Sequence, residues 1–81
     1  MKNEANEFGS IFKELRLEQA LTQVELAKAL GVSKGVISLW ENSLREPTLS
    51  SLVAIARYFD VSIDYLAGLE LDRICARKTR S

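Results

Sequence analysis

Apolar residues along this chain recur at intervals of three and four, broken by short polar stretches, and never alternate with a period of two over a strand's length. The intervals predict helices and no sheet. Phe12 and Leu15 mark a first helix that starts near Gly9 or Ser10 and ends about Gln19. Leu26, Ala27 and Leu30 mark a second over about Gln23–Leu30, and Val36, Ile37 and Trp40 a third over about Lys34–Asn42. Leu49, Leu52, Ala56 and Phe59 line a fourth, while Ile63 and Leu66 face inward from a short fifth that ends at Gly68. Residues 1–8 read as a polar, frayed lead.

The punctuation between these stripes agrees with them. Thr22 and Glu25 have the spacing of a capping box, in which each side chain bonds the other residue's backbone N–H. Gly31 can end the second helix in the left-handed conformation, and Ser33 is a good N-cap for the third. Pro47 cannot continue a helix, and Thr48 and Ser62 open the next two. Helices joined by so short a connection as Gly31-Val32-Ser33 must cross and pack, the geometry of a helix-turn-helix. The expected organisation is one all-α domain over 9–68, followed by an extension over 69–81. In that extension Leu71, Ile74 and Cys75 repeat at helical spacing among Arg73, Arg77, Lys78 and Arg80. It reads as a short sixth helix, a dimer contact or a basic arm.

Composition narrows the function classes. At 81 residues and 47% apolar content the chain suits one small packed core. Its apolar runs are too short to cross a bilayer and its start lacks a signal-peptide stretch, so a cytoplasmic location and no membrane partner are expected. With no histidine and one cysteine, a Ser/His/Asp triad, a Cys/His pair and common zinc sites are all absent, and no glycine-rich phosphate loop is present. No catalysis, metal or cofactor is expected. Net charge is zero, with the basic excess confined to the tail: residues 9–68 hold six Lys/Arg and seven Asp/Glu, residues 69–81 four and two. That balance does not by itself suggest a nucleic-acid binder.

The ordered motifs do. Phe12-Lys13-Glu14-Leu15-Arg16, Leu21-Thr22-Gln23-Val24-Glu25-Leu26-Ala27, Gly31-Val32-Ser33 and Ile37-Ser38-Leu39-Trp40-Glu41-Asn42 are followed by Pro47-Thr48-Leu49, Leu52, Ala56 and Val61-Ser62-Ile63-Asp64-Tyr65-Leu66. In this series the chain resembles the Cro-type helix-turn-helix family, the lambda-repressor-like DNA-binding domains of phage repressors and bacterial regulators. The resemblance covers about Phe12 to Leu69. It implies a compact five-helix domain whose second and third helices form the helix-turn-helix. It also implies phosphate contacts from Arg16, Gln23, Asn42 and the loop Ser43, Leu44, Arg45, and an ion pair between Arg16 and Glu41 tying the first helix to the third.

The third helix presents to bases whatever it does not bury. With Val36, Ile37 and Trp40 inward, the outer face carries Lys34, Gly35, Ser38 and Leu39. Lys34 can donate to guanine O6 and N7, Ser38 can donate or accept, and Leu39 offers apolar contact to a thymine methyl. Gly35 departs from the family, which often has a base-reading side chain there: either the backbone comes close to DNA, or readout is modest and leans on shape. Ser43 departs too, standing where glycine is common, and Asn42 beside it can tolerate unusual dihedrals. The expected function is a sequence-specific transcriptional regulator, a repressor binding a palindromic operator as a homodimer. The alternatives are an antitoxin that also holds a toxin, or a protein-interaction module that has lost DNA binding.

Overall fold

Helix starts are set one by one by side chains adjacent in sequence. The computed structural model describes residues 7–69; the readings placed on residues 1–6 and 70–81, the sixth helix and Cys75 among them, lie outside the described residues. The order is α1 (Phe8–Glu18), α2 (Gln23–Leu30), α3 (Lys34–Glu41), α4 (Leu49–Phe59) and α5 (Ile63–Leu66), with no strand among the described residues. Thr22, Ser33, Thr48 and Ser62 open α2 to α5, each hydroxyl accepting from a backbone N–H three residues on. The Thr22–Glu25 capping box is complete. Only α1 starts without a side-chain cap.

Each helix also ends at a residue with positive φ: Ala20 at 57°, Gly31 at 75°, Ser43 at 60°, Asp60 at 57° and Gly68 at 83°. Past each of these the next N–H reaches back to a carbonyl five residues earlier, as in Val32 to Ala27 at 3.0 Å and Leu44 to Leu39 at 2.9 Å. This pattern satisfies carbonyls left open at a helix end and reverses the chain in few residues.

Every helix gives the core one fully buried side chain. Phe12, Leu26, Ile37, Ile55 and Leu66 are each 0% exposed. Phe12 is its centre, with its ring centroid 5.2 Å from Phe8, 5.7 Å from Trp40 and 6.3 Å from Phe59. The contacts with Trp40 and Phe59 are edge-to-face, which suits the ring quadrupoles. Around this centre α3 packs on α1 and α2, and α4 on α2 and α5.

Three details differ from the sequence reading. Phe8 is neither frayed nor polar: it starts α1 and buries its ring, because Phe8, Phe12 and Leu15 form one stripe at i, i+4 and i+7. The inner face of α4 is Ile55, Ala56 and Phe59 with Leu52 half-buried, whereas Leu49 at its first residue is 72% exposed. The third helix stops at Glu41, and the unusual dihedral falls on Ser43; Asn42 keeps φ −96°.

Gly9 sets the approach of α1 to the end of α3. A Cβ there would lie 2.7 Å from the Trp40 carbonyl oxygen, 2.9 Å from that of Glu41 and 2.8 Å from Ser43 Oγ. Two of these are backbone atoms and cannot swing aside. Gly9→Ala is expected to lower stability by about 1–3 kcal/mol despite alanine's better helix preference, read as an earlier urea unfolding midpoint. Ser43→Gly is expected to move that midpoint later, by up to about 1 kcal/mol, because it relieves a left-handed backbone that side chains disfavour.

Candidate nucleic-acid interface

The exposed face of α3 is fixed from both sides. Gly31 turns the chain, Val32 tucks partly into the core, and Ser33 Oγ accepts from Val36 N–H at 3.2 Å to start the helix. Ile37 and Trp40 then anchor it from behind. What remains outward is Lys34 and Gly35, exposed, followed one turn later by Ser38 and Leu39, both half-buried. Along this strip exposure falls from Lys34 and Gly35 to Ser38 and Leu39, which the protein partly covers. From Lys34 to Leu39 the strip runs about 8 Å along the helix, well within a major groove about 12 Å wide.

Ser38 is not a free rotor. Asn42 Nδ2 donates to the Ser38 carbonyl at 2.9 Å and to Ser38 Oγ at 3.3 Å. Because the first bond must come from the amide nitrogen, the hydroxyl oxygen accepts the second and keeps its own proton to give. The Ser38 hydroxyl therefore has its proton available to donate. Asn42, expected at a phosphate, has its amide nitrogen committed to its own helix.

The other end of α3 carries a buried clamp. Glu41 accepts from Arg16 Nε at 2.6 Å, from Arg16 Nη2 at 3.1 Å and from Gln23 Nε2 at 3.0 Å. Arg16 Nη1 gives a further bond to the Leu21 carbonyl at 2.8 Å. The side chains of Arg16 and Glu41 are only 10% and 3% exposed. The ion pair expected between Arg16 and Glu41 is thus present, joined by Gln23, and it binds α1, α2 and α3 at one point.

That geometry redistributes the roles given to the phosphate residues. Arg16 spends three of its five donors inside the protein and is nearly covered, so an outward phosphate contact is not what its guanidinium is placed for. Gln23 turns its amide toward Glu41, but it also starts α2, where the first N–H groups have no partner within the helix. The Gln23–Glu41 bond brings the start of α2 beside the end of α3, from which Ser43, Leu44 and Arg45 lead away exposed. Lys34 lies at the far end of α3, about 10 Å from Glu41 along the axis. Nothing in sequence spacing signalled the Gln23 bond, since its partner is 18 residues away; the close approach at Gly9 was equally silent.

Removing one side of a buried ion pair strands the other. Glu41→Ala is expected to cost about 3–5 kcal/mol of unfolding free energy for that reason, seen as an early midpoint in a urea titration followed by tryptophan fluorescence of Trp40. Gln23→Ala, which removes only one neutral donor from the same carboxylate, is expected to cost about 1–2 kcal/mol.

Among the described residues no helix is long and apolar enough to cross a membrane, and no group of three or more His, Cys, Asp or Glu could hold a metal ion. A family model described as helix-turn-helix matches residues 12–66. The HTH-type transcriptional activator BcrR of Enterococcus faecalis is 40% identical over 76 residues, which is 93% of this chain and 37% of that protein. An uncharacterised HTH-type transcriptional regulator of Bacillus subtilis, YobD, is 38% identical over 60 residues, 74% of this chain and 54% of its own length. The chain thus spans about a third to a half of these two curated relatives. Among solved structures, the P22 c2 repressor in complex with synthetic operator 9T superposes with a TM-score of 0.73 at 33% identity, covering 78% of this chain and 96% of that one. The chain belongs to the lambda-repressor-like helix-turn-helix family, in which these relatives are HTH-type transcriptional regulators and the P22 c2 protein is a repressor.

Proposed function

We propose that the protein binds operator DNA sequence-specifically as a symmetric homodimer, reads bases with Lys34, Gly35, Ser38 and Leu39, and represses transcription by occluding a promoter in the cytoplasm. The observation that carries this reading is the outward strip of α3, anchored from behind by Ile37 and Trp40, exposed at Lys34 and Gly35 and part-exposed at Ser38 and Leu39. Its chemistry suits base edges: a cation at Lys34, a hydroxyl with a proton to give at Ser38 and an apolar side chain at Leu39. The P22 c2 structure, a repressor in complex with a synthetic operator, points the same way. Phosphate contacts come from the start of α2 at Gln23, where N–H groups and the helix dipole favour an anion, and from the exposed loop Ser43, Leu44, Arg45. Arg16 acts behind them as a positioning residue. Repression is preferred over activation because occlusion needs only occupancy, which the described helices suffice to supply.

The charge supports a dimer. Residues 9–68 carry six basic and seven acidic residues, so one copy can neutralise few phosphates, and two copies on a palindrome double both the charge contacts and the base contacts. The direct test selects bound sequences from random duplexes and titrates the winner by fluorescence anisotropy at several salt concentrations. An enriched palindrome with half-sites one helical turn apart is the expected result; no enrichment overturns the reading. Lys34→Ala is expected to relax preference at one base pair and to cost about 1–3 kcal/mol on the selected site. Arg45→Ala is expected to weaken all duplexes alike and to flatten the salt dependence by about one unit of slope.

A further inference from the structure

We infer that Gly35 forms a notch on α3 that receives the 5-methyl group of a thymine, an inference that rests on the DNA-binding reading above. Gly9, Gly31 and Gly68 each have a reason inside the protein: a Cβ on Gly9 would strike backbone carbonyls, and Gly31 and Gly68 have positive φ. Gly35 has none. It sits in the first turn of α3 without positive φ, and a Cβ built on it would meet only Ser33 Oγ, at an ordinary 3.8 Å. Glycine within a helix lowers its stability relative to alanine, so the fold alone would be better served by a side chain.

The missing atoms are missing on the face that points away from the core. Gly35 is exposed, and Ser38 and Leu39 follow at i+3 and i+4, the positions that neighbour it on a helix surface. The gap is therefore bordered one turn on by the aliphatic side chain of Leu39. An aliphatic wall disfavours the amino group of adenine or cytosine, which would face it without a hydrogen-bond partner. The only apolar group that base edges offer in the major groove is the thymine methyl. With no Cβ at 35, the helix backbone can settle onto that methyl, while Lys34 and Ser38 donate to acceptors on neighbouring bases.

The test is a cycle between one protein atom and one DNA methyl, using the intact chain and its selected operator. Each thymine is replaced in turn by deoxyuridine, which removes only the methyl group, and both wild type and Gly35→Ala are titrated. Wild type is expected to lose about fourfold in affinity at one thymine of each half-site, the worth of one buried methyl. Gly35→Ala is expected to melt at a higher temperature, to keep its salt-dependent binding to random duplex, and to bind the thymine operator about tenfold more weakly. At that position it should no longer distinguish thymine from deoxyuridine. Wild-type affinity in Gly35→Ala with the methyl preference intact overturns the notch while leaving operator binding standing, as does a wild type indifferent to every deoxyuridine. A wild type that selects no sequence overturns the DNA-binding reading and the notch with it.

Discussion

Glu41 lies at the end of the helix that faces outward, yet its carboxylate points inward, where Arg16 and Gln23 hold it. Three helices meet on that one side chain, and each contact constrains a different motion. The two bonds from Arg16 set the distance and rotation of α3 relative to α1. The Gln23 bond ties the N-terminus of α2 to the C-terminus of α3, so the two arms of the helix-turn-helix cannot scissor. The Leu21 carbonyl, held by the same guanidinium, fixes the chain as it enters α2. Buried ion pairs seldom add net stability over an apolar replacement, because desolvating two charges cancels much of their attraction. What they supply is a single allowed arrangement, and here that arrangement aims the outer strip of α3.

The hydrophobic core and this clamp divide the work. Phe12, Leu26, Ile37, Ile55 and Leu66 supply non-directional attraction, one residue per helix, and tolerate small shifts. The clamp, the close contact at Gly9 and the Asn42–Ser38 bonds are directional and do not. Trp40 joins both groups: its ring packs on Phe8 and Phe12, its carbonyl meets Gly9, and its buried Nε1 has no hydrogen-bond partner among the described residues. An orphan donor of that kind costs free energy, so it is the packing of the large ring that holds this residue in place.

Helix positions were legible in the residues because the signals that set them are local. Thr22 with Glu25, Gly31, Ser33, Thr48 and Ser62 act within four residues of themselves, and α2 coincides with its expected bounds. The outward strip was legible for the same reason, as the remainder of a helix whose buried stripe is plain. The Arg16–Glu41 pair was reached through family resemblance and not from spacing. Gln23 was assigned to phosphate because a helix start favours anions, a local rule; its bond to Glu41 depends on tertiary placement and overrides the rule for the amide. Ile55 was passed over for Leu49 because periodicity alone cannot tell which end of a stripe the neighbouring helices reach. Phe8 is the opposite case: its stripe with Phe12 was present in the residues, and the polar run before it hid the pattern.

The left-handed stops that end all five helices carry a consequence for how such a domain can diverge. Each stop counts residues: Ala20, Gly31 and Asp60 leave one position before the next hydroxyl cap, and Ser43 leaves four. Inserting or deleting a single residue inside α3 would swing everything after it by about 100° around the axis, carrying Leu39 toward the interior or Ile37 into solvent. Length is therefore a frozen variable in this stretch. Change on this surface is thereby channelled into exchanging side chains at a registry of a few outward positions.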